Sequence, residues 1–185
     1  MFDFNTTLFL WLNASADSPA WVVPLARFAS LELPQWLLAG TAGAFLVGDA
    51  RVRRGVVRIV LAMLTAWLMA RLAQHLWPMP RPFSIGLGTA WVPHGDSAGF
   101  PSTHTSAAFA FASVVATFTH RRSAGIVALL VAGLVAWSRI SLGLHFPVDV
   151  FAGAIVGFFS AWASGLAQDL ALQVRPAHDP GAAGP

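Results

Sequence analysis

The chain has 185 residues, of which 56% are hydrophobic and only 10% are charged. This composition is too apolar for a soluble domain of this length and predicts an all-α, polytopic membrane bundle. The net charge is only +3, and the basic residues cluster in short loops rather than along a stripe with interleaved aromatics, which argues against nucleic acid as a partner. Cysteine is absent, which excludes disulfides and thiolate chemistry.

The first predicted element is short. Residues 2–13 cannot span a bilayer and predict an interfacial helix. The acidic residue Asp3 stands where a signal peptide has basic residues, so we expect no cleavable signal peptide. Residues 20–31 and 35–48 are apolar but individually short, and a Glu-Leu-Pro segment separates them. They fit a helical hairpin or one broken span, and we favour two elements.

Longer apolar segments follow in the second half of the chain. Spans are predicted over residues 55–77, 103–119, 123–140 and 148–170. The segment 78–101 is rich in Pro, Gly and polar residues, which indicates an extramembrane loop. If residues 20–31 also cross, about six spans result, with both termini in the cytoplasm. Residues 1–175 are then a single domain, and 176–185 a disordered tail.

The basic residues orient these helices, since Lys and Arg in short loops stay on the cytoplasmic side. Arginines cluster before the 55–77 span and again between the next two spans, as Arg51, Arg53, Arg54, Arg58, Arg121 and Arg122. Both loops are therefore predicted to be cytoplasmic. The loop 78–102 and the turn between 140 and 148 then share the opposite face.

The unusual polar residues all fall on that opposite face. They form three clusters: Pro80-Arg81-Pro82, Pro101-Ser102-Thr103-His104, and Ser138-Arg139 followed by His145 and Asp149. Ionisable residues gathered at one membrane depth indicate a functional site.

Each cluster suits phosphate chemistry. Arg81 and Arg139 offer planar forks that match phosphate oxygens. Ser102 is predicted to cap a helix whose first free N–H groups, beginning at Thr103, attract anions. The plainer alternatives are arginines that anchor at the interface and a serine that only caps its helix.

The two histidines and the aspartate predict covalent catalysis. Asp149 lies one helical turn after His145 and is expected to hold one ring nitrogen, which leaves the other nitrogen as nucleophile. His104 is then the general acid for the leaving oxygen. Either histidine alone would equally suit an interfacial hydrogen-bonding role.

These residues resemble the type 2 phosphatidic acid phosphatase (PAP2) superfamily, whose motifs run KxxxxxxRP, PSGH and SRxxxxxHxxxD. The third motif is complete from Ser138 to Asp149, and the second is present with Thr103 in place of glycine. The first is matched only at Arg81-Pro82, because Gln74 stands where the family has lysine. The resemblance covers roughly residues 20–170.

The resemblance implies metal-independent and cofactor-independent phosphate hydrolysis. His145 would be the nucleophile, Asp149 its partner and His104 the acid, while Arg81, Arg139 and Ser102 would hold phosphate, with Thr103 and Gln74 beside them. An amide at Gln74 brings no charge. We hypothesise that Arg71, one turn away, supplies it; a snorkelling arginine is the alternative.

Within the superfamily the chain is most similar to the undecaprenyl-diphosphate phosphatases of the bacitracin-resistance type, by its size and the loop from Val92 to Phe100. This implies a lipid diphosphate substrate and a bacterial inner-membrane enzyme with an outward site. His94 and Asp96 would contact the second phosphate or only order the loop.

Three alternatives stay open. Another lipid phosphate, such as phosphatidic acid, phosphatidylglycerol phosphate or a lipid A phosphate, would use the same catalytic residues. An anion transporter or channel would need a polar stripe toward the cytoplasm, which the sequence lacks. A vanadium haloperoxidase shares the motifs, but the apolar spans argue against one. The sequence does not give the oligomeric state. Elsewhere, Gly153 and Gly157 predict close helix packing.

Overall fold

A computed structural model describes residues 4–95, 97–119 and 121–173. The described chain forms α1 (Phe4–Leu12), α2 (Val22–Arg27), a π-helical turn (Phe28–Glu32), α3 (Leu33–Val47), α4 (Ala50–Leu76), a 3₁₀ turn (Phe83–Ile85), α5 (Thr103–Phe118), α6 (Arg122–Ser141) and α7 (Pro147–Gln173). The all-α prediction is confirmed. The predicted tail, 176–185, lies outside the described residues.

Three of the described helices, α4, α6 and α7, are long and apolar enough to cross a membrane. Large apolar side chains such as Trp67, Leu72 and Phe151 are exposed on α4 and α7, where lipid chains would cover them. Among the described residues only these three helices meet both conditions, against a predicted count of about six spans. The described helices form six rods, but α1 has nine residues and is too short to cross.

Residues 22–47 form one continuous rod, so the expectation of two separate elements is wrong. The backbone stays helical from α2 through the π turn into α3. Pro34 explains the turn, because proline has no N–H for a carbonyl four residues earlier. The N–H of Leu33 instead donates to the carbonyl of Phe28, five residues back, which is the wider spacing of a π bulge.

Because residues 22–47 cross the bundle once and not twice, they determine at which end of the bundle each later helix begins. We call the end of the bundle where α4 and α6 finish and α5 and α7 begin the site end, and the opposite end the far end. The residues around α1 lie at the site end, since Ala14 N–H donates to the Ser141 carbonyl at 2.9 Å and Val148 N–H to Asn5 Oδ1 at 3.1 Å. Residue 4 and the end of α7 therefore lie at opposite ends of the bundle.

Small side chains let the helices approach closely. An interior cluster joins α4, α5 and α7 and consists of Ala62, Ala66, Ala110, Val114 and Ala161. A Cβ on Gly153 would lie 2.8 Å from the Ser102 carbonyl oxygen, and one on Gly157 2.6 Å from that of Ser106. The predicted close packing at these glycines is confirmed, and it seats the start of α5 against α7.

The loop 77–102 is fastened to the site end. Asn13 Nδ2 donates to the carbonyls of Thr89 and Ser141, each at 3.0 Å, and Trp91 Nε1 donates to that of Ala14 at 2.8 Å. Gly143 adopts a φ of 77°, and a Cβ there would collide with the Thr89 carbonyl. The loop thus covers the helix ends that carry the predicted site.

Candidate active site

Four of the predicted ionisable side chains are buried together at the site end. Arg81 extends from the loop, Arg139 from the last turn of α6, His145 from the following turn and Asp149 from the first turn of α7. Each is at most 3% exposed. Burial of so many ionisable groups is costly and is typical of a functional site rather than of a structural core.

Arg81 is held on every side. Nε donates to the Ser97 carbonyl at 2.7 Å, and Nη2 to Ser97 Oγ and the Ala98 carbonyl, each at 3.2 Å. Nη1 donates to the Leu144 carbonyl at 3.0 Å and lies 2.9 Å from His145 Nε2. These contacts use all five guanidinium donors. Arg81 is therefore fixed in place directly beside the predicted nucleophile.

The contact with Arg81 decides the tautomer of His145. A guanidinium only donates hydrogen bonds, so Nε2 must accept, and the ring proton must sit on Nδ1. Nδ1 lies 3.5 Å from Asp149 Oδ2. The two groups face each other at that separation without forming a hydrogen bond, and Nδ1 has no other hydrogen-bond partner. The lone pair thus lies on Nε2, on the side of the arginine.

Asp149 is itself oriented by the backbone. Its Oδ2 accepts from the Phe146 N–H at 2.9 Å, and its carbonyl accepts from the Ser102 N–H at 3.0 Å. Gly99 passes beside it, where a Cβ would lie 3.3 Å from Oδ2 and 3.2 Å from Arg81 Cγ. Asp149 therefore links the second and third motifs. Catalytic contacts are often long in a free enzyme, so the 3.5 Å separation suits a partner that tightens on binding.

The charge around His145 keeps its ring neutral. Burial lowers the pKa of His145 well below its ordinary value of 6.5, and the positive charges of Arg139 and Arg81 lower it further. A neutral imidazole is the form that can attack phosphorus.

We expect His145 to stay unprotonated at pH 6 in the free protein. The unfolded chain binds this proton below about pH 6.5 and the folded chain does not. The free energy of unfolding is therefore unaffected by this titration above that pH and decreases as the pH drops below it. Nitrogen-15 NMR of ring-labelled protein in detergent would report the state of Nε2. Protonation of Nε2 with a midpoint at or above pH 6.5 would contradict the prediction.

Arg139 contrasts with Arg81 because most of its donors are free. Its Nη1 donates to Ser30 Oγ at 2.5 Å, while Nε and Nη2 are buried without a partner. Buried donors without a partner are rare and costly. Arg139 is therefore the side chain best prepared to receive an anion.

Sequence reasoning missed Ser30. This serine is 2% exposed and lies in the π turn that Pro34 imposes, which brings it against Arg139. π bulges often occur at functional sites. The only sequence signal was Pro34 itself, a proline inside an apolar segment.

We expect Ser30→Ala to lower kcat about tenfold with little change in KM, because a hydrogen bond to a charged group contributes about 1.5–3 kcal/mol to holding Arg139. Steady-state hydrolysis in detergent would measure both constants. Ser113→Ala is a matched control, since Ser113 is buried and bonds only within α5, to the Phe109 carbonyl. Equal kcat for Ser30→Ala and this control would contradict the prediction.

The start of α5 has the predicted cap. Ser102 is fully buried, and its Oγ accepts from the Thr105 N–H at 3.5 Å and from Thr105 Oγ1 at 3.1 Å. Thr103 is half-buried as the first helical residue. The Ser102 hydroxyl is thus engaged in capping, and its role in phosphate binding stays a prediction.

Gln74 lies at the site end but serves the second motif. Its Nε2 donates to the Pro101 carbonyl at 3.0 Å, and its Oε1 accepts from Arg71 Nη1 at 3.1 Å. Gln74 is buried and Arg71 is exposed. The structure therefore shows Gln74 holding the segment before α5, and direct phosphate binding by Gln74 or Arg71 stays a prediction.

We expect Arg71→Ala to raise KM about fivefold, since it removes both a positive charge near the site and the donor that orients Gln74, and an exposed charge contributes up to about 1 kcal/mol. Arg71→Lys keeps the charge and separates the two effects. Kinetics on a lipid diphosphate would measure them. Unchanged KM and kcat for Arg71→Ala would contradict the electrostatic hypothesis.

The remaining predicted residues lie at the rim. His104 is exposed in the first turn of α5 and lines a cavity of about 90 Å³ with apolar residues of α3 and α5, among them Leu37 and Phe111. His94 is exposed, and its ring lies 6.2 Å from that of Phe83. Asp96 lies outside the described residues.

The fold and this site define an integral-membrane phosphatase. The chain belongs to the PAP2 superfamily, whose family pattern matches residues 55–170. It is therefore a hydrolase of the phosphatase class, and the resemblance found in the motifs is confirmed.

Two relatives and one solved structure are similar to this chain. YbjG of Escherichia coli K12, named as a candidate undecaprenyl-diphosphatase, is 31% identical over 84% of this chain and 78% of its own. Undecaprenyl-diphosphatase BcrC of Bacillus subtilis strain 168 is 30% identical over 60% of this chain and 57% of its own. The crystal structure of Aquifex aeolicus LpxE superposes with a TM-score of 0.76 at 28% identity, over 89% of this chain and 96% of that one.

Proposed function

We propose that this protein hydrolyses the terminal phosphate of undecaprenyl diphosphate to give undecaprenyl phosphate and inorganic phosphate, through a phosphohistidine on His145. The observation that carries the mechanism is the 2.9 Å contact between Arg81 Nη1 and Nε2 of a buried histidine whose Nδ1 faces a carboxylate, because a guanidinium can only donate to that nitrogen. The names of the relatives support the substrate.

In the first step Nε2 of His145 attacks the terminal phosphorus and the bridging P–O bond breaks. Arg81 must give up its contact with Nε2 and turn that donor to a phosphate oxygen, while the free donors of Arg139 take others. The carboxylate of Asp149 stabilises the proton on Nδ1 as the ring becomes positively charged. His104 protonates the oxygen of the departing undecaprenyl phosphate.

In the second step water attacks the phosphohistidine. His104, now neutral, accepts a proton from that water, the N–P bond breaks, and inorganic phosphate leaves. Both steps balance without a metal or a cofactor, so the expectation that none is needed stays part of the proposal. The cavity beside His104 is lined with apolar residues, which suits the first isoprene units next to the leaving oxygen.

Phosphate release from a panel of lipids would test the substrate. Purified protein would be assayed on undecaprenyl diphosphate, phosphatidic acid, phosphatidylglycerol phosphate and a lipid A phosphate, with His145→Ala as control. We expect the highest kcat/KM on undecaprenyl diphosphate. A preference for another lipid would contradict the substrate and leave the phosphohistidine mechanism intact.

We also propose that the site end faces the outside of a bacterial inner membrane. The far end carries the arginines at the start of α4 and between α5 and α6, which favours the cytoplasm for that end. Because the chain has no cysteine, Ile85→Cys at the site end and Val47→Cys at the far end form a matched pair of exposed positions. An impermeant maleimide added to intact spheroplasts should label only Ile85→Cys; labelling of only Val47→Cys would reverse the orientation.

A further inference from the structure

The far end of the bundle holds a second cluster of arginines, which take no part in the proposed reaction. Arg51, Arg54 and Arg58 follow one another at spacings of three and four along α4, so they share one face of the helix. They line a pocket of about 410 Å³, which Thr117 and Phe118 of α5 and Gln168 and Asp169 of α7 complete.

The pocket has the features of a built site. Arg58 is half-buried, and its Nε is buried without a hydrogen-bond partner. Gly165 of α7 lies against its guanidinium, since a Cβ there would lie 2.3 Å from Arg58 Nη2. Gln168 Nε2 donates to the Arg54 carbonyl at 3.2 Å. An arginine that only snorkels to the interface keeps its guanidinium in water, so it has no buried donor without a hydrogen-bond partner.

The positive charge of the pocket is not neutralised by the protein. Among the described residues no arginine forms an ion pair with a carboxylate. Asp169 lines the pocket but does not pair with its arginines. Three guanidinium groups against one carboxylate therefore leave a net positive pocket, which suits a phosphate group.

An apolar groove adjoins this pocket. It has a volume of about 410 Å³, lies between α4 and α5, and shares Arg51 and Phe118 with the arginine pocket. Its other lining residues are mainly apolar, including Val56, Ile59 and Val114. A charged pocket continuous with an apolar groove is the shape of an amphiphile with a phosphate head and a hydrocarbon chain.

We propose that this far-end site binds an anionic membrane phospholipid, with its phosphate among Arg51, Arg54 and Arg58 and one acyl chain in the α4–α5 groove. Basic pockets between membrane helices bind anionic head groups in this way. The site is separate from the catalytic one, and the proposal does not depend on which lipid is hydrolysed.

Native mass spectrometry of the purified protein would test this site. Dissociation constants would be measured for phosphatidylglycerol and for phosphatidylcholine of the same acyl chains. Arg58→Gln should weaken phosphatidylglycerol binding about fivefold, the share of one arginine near a phosphate. Arg53→Gln is the matched control, because it removes the same charge from the same helix. The Arg53 side chain does not line the pocket and lies over Phe45, at 5.9 Å from its ring centre. Equal effects of the two variants, or equal affinity for the two lipids, would overturn the proposal.

Two further arms separate the sources of phosphate and guard against misfolding. Inorganic phosphate and glycerol 3-phosphate carry the anion without the chain; binding by either as tight as that of phosphatidylglycerol would overturn the lipid assignment. Wild-type protein would also be irradiated with phosphatidylglycerol bearing a diazirine in its acyl chain. Crosslinks on the groove residues of α4 and α5 are expected, and crosslinks confined to other helices would overturn the proposal.

Discussion

Replacing His145 with alanine is expected to lower kcat by at least about 1,000-fold, since removal of a nucleophile that acts together with its partners costs up to about 10⁶ in other hydrolases. The imidazole is 1% exposed, carries its lone pair on Nε2 and lies between Arg81 and Asp149. A water that entered the space left by the imidazole would not replace it, because it would lack both the position and the nucleophilicity of Nε2.

Phosphate release from undecaprenyl diphosphate would measure this loss. His75→Ala is the control, because His75 is an exposed histidine at the end of α4 outside the contacts that build the site. Thermal unfolding of both variants shows whether the fold is intact. A folded His145→Ala protein with more than about a tenth of the wild-type kcat would show that another group attacks phosphorus.

Replacing Arg139 with methionine is expected to reduce kcat/KM by a factor of about 10³ and to leave the unfolding temperature unchanged or higher. Loss of a single oriented donor costs about 10²–10³ in rate, and Arg139 has two nitrogens, Nε and Nη2, whose N–H groups lack partners, besides Nη1 on Ser30. In the free protein these donors are buried without compensation, so the arginine itself costs stability.

A ligand separates the two effects of Arg139. Inorganic phosphate at about 100 times its dissociation constant should stabilise the wild-type protein by about 2.7 kcal/mol and should stabilise Arg139→Met much less. Arg139→Lys keeps the charge without the fork and should fall between them. An Arg139→Met protein that unfolds at a lower temperature and still responds fully to phosphate would contradict the role given to Arg139.

The sequence predicts the parts of the fold that depend on local chemistry. Long apolar segments predict helices α4 to α7, and Ser102 caps the start of α5 as predicted. The junction near Pro34 was read wrongly, because proline usually ends a helix. A π turn accommodates it instead, and no rule of composition distinguishes the two outcomes.

Part of the site could likewise be predicted from the sequence. The spacing of the motifs places Arg139, His145 and Asp149 at one end of the bundle, since helix ends that share a membrane face lie close together. The spacing of the motifs does not show that Arg81 donates to Ser97, Ala98 and Leu144. These acceptors are mostly backbone carbonyls, which any residue type supplies. The contact of Ser30 with Arg139 was not predicted either, because the two residues lie 109 positions apart in the sequence.

The phosphohistidine itself can be trapped. The protein would be mixed with undecaprenyl diphosphate labelled in its terminal phosphate, quenched in alkali within milliseconds and digested for mass spectrometry. We expect a phosphoryl group on His145 that is stable in alkali, labile in acid and absent from His145→Ala. Active protein that carries the label on His104, or that releases phosphate in single turnovers without ever carrying label, would contradict it.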